Sequence, residues 1–194
     1  KGPKVIEFEK KLSSYCGAPA VGVSSGTSAL LLAYECLGLK PGDKIIIPSF
    51  TFISTPEMAS KLGLEIVWAD CNKDNYTINT DDLAGILSSR KDIKAIVGVD
   101  IFGHTCDWDT IKDIAGDIPV VQDAAQSFGG KYKGKLNGTY NHLTCFSFYP
   151  AKNMWCFGDG GAVVGNQNYI DKKDINSVTI NYIWLRQWIC ATST

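Results

Sequence analysis

Short apolar runs alternate with helix-spaced segments along this chain, the pattern of an α/β fold with a largely parallel sheet. Val5 to Tyr15 places Val5, Phe8, Leu12 and Tyr15 on one helical face. Ala20 to Val23 reads as a short strand, and Ser24-Ser25-Gly26-Thr27 turns it into a helix that runs to about Leu37. Pro41-Gly42-Asp43 marks a turn before an Ile-rich buried strand, Lys44 to Pro48. A helix over Ser54 to Leu62 and a strand over Leu64 to Ala69 follow. Thr80 is the expected cap of a helix opening with Asp81-Asp82, acids that suit the positive end of the helix dipole. Ile93 to Phe102 reads as a long central strand, Asp107 to Ala115 as a helix, and Pro119 to Gln122 as a strand ending at Asp123. Leu143 to Tyr149 and Gly161 to Val164 complete the expected strands. Beyond Gly165 the pattern weakens to Ile180, Ile183, Trp184 and Trp188 at helical spacing. The expected division is one domain over residues 1–165 and a tail over 166–194, with no internal repeat.

Composition narrows the function classes. A chain of 194 residues can bury the core of one sizeable α/β domain. Its 45% hydrophobic and 20% charged residues are ordinary for a globular protein. The net charge of −1 lacks the basic excess that a nucleic-acid or anionic-membrane partner needs. The longest apolar run, Ala29 to Tyr34, is far shorter than a membrane span, and the N-terminus has no signal-peptide apolar core. Seven cysteines in scattered positions, without a C-x-x-C pair, argue for free thiols in the cytoplasm and against a disulfide framework or a zinc site. The first residue is Lys1 rather than Met, as expected of a fragment or a processed chain.

Three segments carry candidate chemistry. Ser25-Gly26-Thr27-Ser28 follows a strand and opens a helix, whose first N–H groups and positive dipole end suit a phosphate. The same residues also read as a plain N-cap. No P-loop and no dinucleotide fingerprint is present. Asp123 sits where a buried parallel strand ends, at the edge that lines the ligand crevice of open α/β sheets. A carboxylate there needs a partner, for which a cationic ring nitrogen and the following turn are alternatives. Lys152 follows the aromatic run Phe146-Ser147-Phe148-Tyr149 and precedes Gly158-Asp159-Gly160-Gly161. Shelter at such a place makes an amine a usable nucleophile, whereas an ordinary loop lysine is solvated. A phosphate anchor, an acid for a ring nitrogen and a sheltered lysine are together what pyridoxal 5′-phosphate (PLP) requires.

In these residues the chain resembles the DegT/DnrJ/StrS family of PLP-dependent sugar aminotransferases. The likeness runs from about Gly2 to Gly165. Its motifs occur in order: Ser25-Gly26-Thr27-Ser28-Ala29-Leu30, Pro48-Ser49-Phe50-Thr51-Phe52, Asp70, Phe102-Gly103-His104, Asp123-Ala124-Ala125-Gln126-Ser127, Phe146-Ser147-Phe148, and Lys152-Asn153 ahead of the glycine turn. The resemblance implies the large domain of PLP fold type I, a three-layer αβα sandwich around a mostly parallel sheet, without the family's C-terminal small domain. It implies Lys152 as the Schiff-base lysine and proton shuttle, and Asp123 as the partner of the pyridine nitrogen. Gln126 is implied beside the phenolic oxygen and Phe52 on the ring face. Gly26, Thr27, Ser28 and Ser147 are implied as the phosphate cup.

The implied reaction is amino transfer, with glutamate as donor, to a nucleotide-linked keto-sugar for polysaccharide or lipopolysaccharide biosynthesis. The implied assembly is a homodimer with its active site at the interface. A PLP sugar dehydratase is the alternative within the family, although a dehydratase subgroup carries histidine where this chain has Lys152. A non-catalytic remnant that pairs with a full-length homologue is the alternative outside catalysis, since residues 166–194 do not resemble the small domain. Met154-Trp155-Cys156 departs from the small residues usual before the glycine turn. Trp155 is expected either to crowd the loop after Lys152 or to point into solvent. His142 is expected on the surface, and His104 is left open.

Overall fold

The computed structural model describes residues 2–170 of the chain. The helical pattern expected around Ile180 to Trp188 lies outside the described residues. The elements run α1 (Pro3–Cys16), β1 (Ala20–Val23), α2 (Gly26–Cys36), β2 (Lys44–Pro48), α3 (Ser54–Lys61), β3 (Glu65–Ala69), α4 (Thr80–Ser89) and β4 (Ile93–Val99). They continue with α5 (Trp108–Ala115), β5 (Val120–Asp123), β6 (Lys131–Tyr132), β7 (Lys135–Leu136), β8 (Leu143–Ser147), β9 (Gly161–Gly165) and α6 (Gln167–Ile170).

Seven strands form one sheet in the order β1-β9-β8-β5-β4-β2-β3. Neighbours from β8 through to β3 pair in parallel, while β9 is antiparallel to both β8 and β1. The small β6–β7 hairpin stands outside this sheet.

Alternation along the strands builds the layers. Ile45 and Ile47 of β2 join Leu30, Leu31 and Ala59 of α2 and α3 in one apolar cluster. Ile46, between them in sequence, joins Leu83 of α4 and Ile111 of α5 in another. Successive side chains on a strand point to opposite faces, so a continuous apolar run is what a sheet covered on both sides requires. On the β8–β9 half, Leu12 and Cys16 of α1 pack with Phe146, Ala162 and Val164. The result is the αβα sandwich implied above. Tyr169 and Ile170 also pack on the α2 side of the sheet.

Two local expectations change, and one element appears that the sequence does not announce. The α4 cap is Asn79, whose side chain accepts from the N–H groups of Asp81 and Asp82; Thr80 is already helical. An asparagine acceptor reaches the first-turn donors as well as a threonine hydroxyl does. The strand expected over Ile93 to Phe102 stops at Val99, and Ile101–Gly103 forms a 3₁₀ turn. Within that turn Phe102 adopts φ 55°, a left-handed conformation that no strand contains. The β6–β7 hairpin had no apolar alternation to announce it.

Candidate functional site

The C-terminal ends of the parallel strands open onto a cavity of about 430 Å³. Strand ends carry the ligand crevice in open α/β sheets because the following loops diverge there. Each loop supplies part of the wall: Ser25, Gly26 and Thr27 after β1, Phe52 and Ser54 after β2, Asp100 and Ile101 after β4. Asp123, Ala125 and Gln126 come from the end of β5, and Ser147, Tyr149 and Lys152 from the end of β8. Segments more than a hundred residues apart in sequence therefore meet at one site.

Ser25 is the N-cap of α2, and its Oγ accepts from the Ser28 N–H at 3.0 Å. The plain N-cap reading of this segment holds. The cap consumes the Ser28 donor, leaving the Gly26 and Thr27 N–H groups as the donors of this helix end. Ser28 is not part of the cavity wall; its hydroxyl lies 2.8 Å from Ser24 Oγ. Thr27 Oγ1 sits 2.9 Å from Ser54 Oγ, so a hydroxyl pair flanks the helix end.

Two close approaches fix this corner. A Cβ on Gly26 would stand 2.7 Å from Ser147 Cβ, and a Cβ on Gly161 would stand 2.4 Å from the Ser25 carbonyl oxygen. Gly26→Ala is expected to cost about 1–3 kcal/mol by overpacking. Adding Ser147→Gly, which removes the opposing Cβ, should restore the thermal midpoint. Equal midpoints for wild type and the single variant would show that the helix end has room to move.

Asp123 is only 5% exposed. Thr55 Oγ1 donates to its Oδ2 at 2.8 Å, and the Ala125 N–H donates to its Oδ1 at 3.2 Å. Thr51 Oγ1 lies 3.0 Å from Thr55 Oγ1. Since Thr55 spends its proton on Asp123, Thr51 is the donor in that pair. Burial pushes the Asp123 carboxyl above the usual carboxylate range, against the Thr55 and Ala125 hydrogen bonds and the nearby Lys152 charge. Among the described residues no cation forms an ion pair with it. Lys152 itself is half-buried, held where its N–H donates to the Tyr149 carbonyl at 2.9 Å.

Gln126 Oε1 accepts from the Phe102 N–H, which leaves the amide nitrogen as the group available to an acceptor. Phe52 lies in the wall with most of its ring exposed. Trp155 is 57% exposed, packs edge-to-face on Phe157 and stands outside the cavity wall, so it points into solvent rather than into the site. His104 is exposed and outside the wall. His142 differs from its expected surface position: it is half-buried, and its Nδ1 accepts from the Val120 N–H at 3.0 Å. Val120 starts β5, so this histidine lies at the opposite end of the strand from Asp123.

The sequence reading missed Ser54, Thr55 and Asp100. The first two sit in an ordinary-looking helix start, and only the fold turns that helix toward Asp123. Asp100 falls within the stretch that sequence periodicity alone assigns to the Ile93 to Phe102 strand. Its carboxylate is fully buried and receives the Gln122 amide at 2.6 Å, Ser127 Oγ at 2.8 Å and the Cys106 N–H at 3.0 Å.

Burial pushes the Asp100 carboxyl up to about 6, while the hydrogen bonds from Cys106, Gln122 and Ser127 act in the other direction. Its value in the unfolded chain is about 3.9. A group that holds its proton more tightly when folded adds stability at low pH and loses it as the pH rises. The contribution, at most about 3 kcal/mol, should be complete below about pH 4 and gone above about pH 6. Denaturant titrations should show Asp100→Asn gaining on the wild type across that window. Parallel stability curves would refute it.

A family model described as the DegT/DnrJ/EryC1/StrS aminotransferase family matches residues 1–177. The chain belongs to this family. The DegT/DnrJ/EryC1/StrS relatives include a UDP-2-acetamido-2-deoxy-3-oxo-D-glucuronate aminotransferase of Pseudomonas aeruginosa. It is 39% identical over 170 residues, covering 86% of this chain and 47% of the relative. The structure of Streptomyces venezuelae DesV in complex with a ketimine intermediate superposes with a TM-score of 0.83 at 36% identity, over 89% of this chain and 47% of that one. The ntda structure from Bacillus subtilis, with bound cofactor PMP, superposes with a TM-score of 0.79 at 32% identity, over 87% and 38%. The chain spans about half the length of the relatives it matches. Among the described residues no helix is long and apolar enough to cross a membrane.

Proposed function

We propose that the cavity binds PLP and serves amino transfer from an amino acid, glutamate, to a nucleotide-linked keto-sugar. The observation that carries this reading is the convergence of Lys152, the buried Asp123 and the α2 helix end on one cavity. The donor set fits the cofactor. The Gly26 and Thr27 N–H groups with the Thr27 and Ser147 hydroxyls offer a phosphate several donors, and the bare Cα of Gly26 lets the helix end approach Ser147 closely. Asp123 is a buried carboxylate whose existing partners are neutral, which suits a cationic ring nitrogen.

Bound PLP would supply an electron-poor ring that accepts charge from the substrate while its carbonyl carbon exchanges the amino group. Asp123 would hold a proton on the ring nitrogen through its carboxylate. Lys152 Nζ would attach the cofactor and move the proton at the reacting carbon. The Gln126 amide nitrogen would donate to the phenolic oxygen, and Phe52 would cover one ring face and exclude water. Ser28 would act through the α2 cap rather than by touching the phosphate.

Residues 1–165 are proposed as the cofactor-binding large domain, with 166–194 following it, and the working assembly as a cytoplasmic homodimer. The test is a visible absorption spectrum of the purified chain with added PLP, before and after borohydride, with mapping of the labelled peptide. A band fixed by borohydride onto Lys152 is expected. No band, or label scattered over surface lysines, would favour a chain that no longer assembles the site.

A further inference from the structure

Asp100 collects more hydrogen bonds than any other side chain near the cavity. Besides Gln122, Ser127 and Cys106, the Asn137 amide lies 3.3 Å from its Oδ2. Asn137 Nδ2 also donates to the Ser127 carbonyl oxygen, at 2.9 Å. The main chain adds to this: the Asp100 N–H donates to the Asp123 carbonyl at 3.0 Å, and the Gly103 N–H to the Asp100 carbonyl at 3.2 Å. These contacts tie two segments into one unit. Residues 122–127 carry Asp123 and Gln126, and residues 100–106 carry Phe102, whose N–H is held by Gln126 Oε1. Phe102 keeps a left-handed backbone there, and a Cβ on Gly103 would lie 3.1 Å from the Gln126 carbonyl oxygen. A strained turn persists only where its surroundings over-determine it.

We infer that Asp100 is a positioning residue for this site: through its buried carboxylate it fixes the 100–106 turn against the 122–127 loop, and so aims the Gln126 amide and the Asp123 carboxylate into the cavity. All its side-chain partners are donors, so the acceptor-only character of a carboxylate is what the network demands. Asparagine has nearly the same shape but turns one oxygen into a donor that faces other donors. A half-satisfied buried network loses its geometry before its fold. This inference rests on the PLP reading for its consequence, though not for its geometry.

Two measurements on Asp100→Asn separate the two. Amide hydrogen exchange of the chain without cofactor should show Phe102 and Gly103 exchanging about tenfold faster or more, with Ile45 to Ile47 of β2 at wild-type rates. PLP titrations of wild type, Asp100→Asn, Gln126→Ala and the double variant form a cycle. Asp100→Asn should weaken PLP about tenfold. Gln126→Ala should then cost far less on that background than alone, because the amide is already misplaced.

Unchanged exchange at Phe102, or additive losses in the cycle, would overturn the positioning role. A wild-type chain that takes no PLP onto Lys152 would overturn the cofactor reading and with it any role toward PLP, while the exchange result still reports on the clamp. If Asp100→Asn does not fold, Ser127→Ala removes one donor of the same network and should shift both readouts in the same direction by a smaller factor. No shift from that variant would count against the inference.

Discussion

Lys152→Ala should lose the borohydride-fixed attachment of PLP completely while keeping the fold. Lys152 is half-buried on a loop, makes no ion pair among the described residues, and contributes only its main-chain N–H to local structure. Removing a side chain so placed changes stability by about 0.5 kcal/mol or less. The chemical effect is all-or-none, because among the described residues no other lysine lines the cavity. Circular dichroism and the thermal midpoint should match the wild type, and the labelled peptide should vanish from the digest. If the variant still carries the label in the same region with the same absorption band, another amine holds the cofactor and the assignment of Lys152 fails.

The second large effect concerns Asp123, and its two readouts should move apart. Its carboxyl is held above the ordinary range by burial, so ionising it costs folding free energy. The sign follows: with the folded value above the unfolded one of about 3.9, stability from this group is present at low pH and declines as the pH rises. At about pH 7 the cofactor-free Asp123→Asn variant, whose amide nitrogen can donate to the Thr55 hydroxyl once that hydroxyl turns, is therefore expected to be as stable as the wild type or more so. Its affinity for PLP should fall, because a charge-assisted hydrogen bond to a cationic ring nitrogen is worth about 2–3 kcal/mol, or roughly thirty- to a hundredfold. The comparison is urea unfolding without cofactor beside a PLP titration. A variant that is destabilised yet binds PLP as tightly as before would make Asp123 a structural residue of the β5 turn.

Both predictions follow from a common design. The carboxylate ends strand β5 and the helix end opens α2, whereas the lysine rides on the loop after β8. Groups on strand and helix ends are held more precisely than groups on loops. Gly161 joins the two halves: its missing side chain lets β9 pass beside the Ser25 carbonyl, so the Lys152 loop returns under the α2 start.

The sequence by itself determined the α/β class, the order of the elements and most of their limits. Those features depend on local periodicity and on turn chemistry, and a β2 of three isoleucines or a Pro41-Gly42-Asp43 turn states them within a few residues. It also marked Gly26, Thr27, Asp123 and Lys152, because strand-to-helix turns and strand ends are where α/β folds place ligands, while Gln126 and Ser147 were implied by the family resemblance. Tertiary structure alone decided how those residues divide their work. Ser28 proved to serve the cap, since only the folded α2 start shows which hydroxyl its N–H meets. Thr55 became the partner of Asp123 across 68 residues, and Asp100 the centre of a clamp reaching to Asn137, because such hydrogen bonds join segments whose separation no local pattern encodes. The 3₁₀ turn after β4 was equally hidden: Phe102 reads as a strand residue in sequence, and only the folded chain brings Gln126 to its N–H.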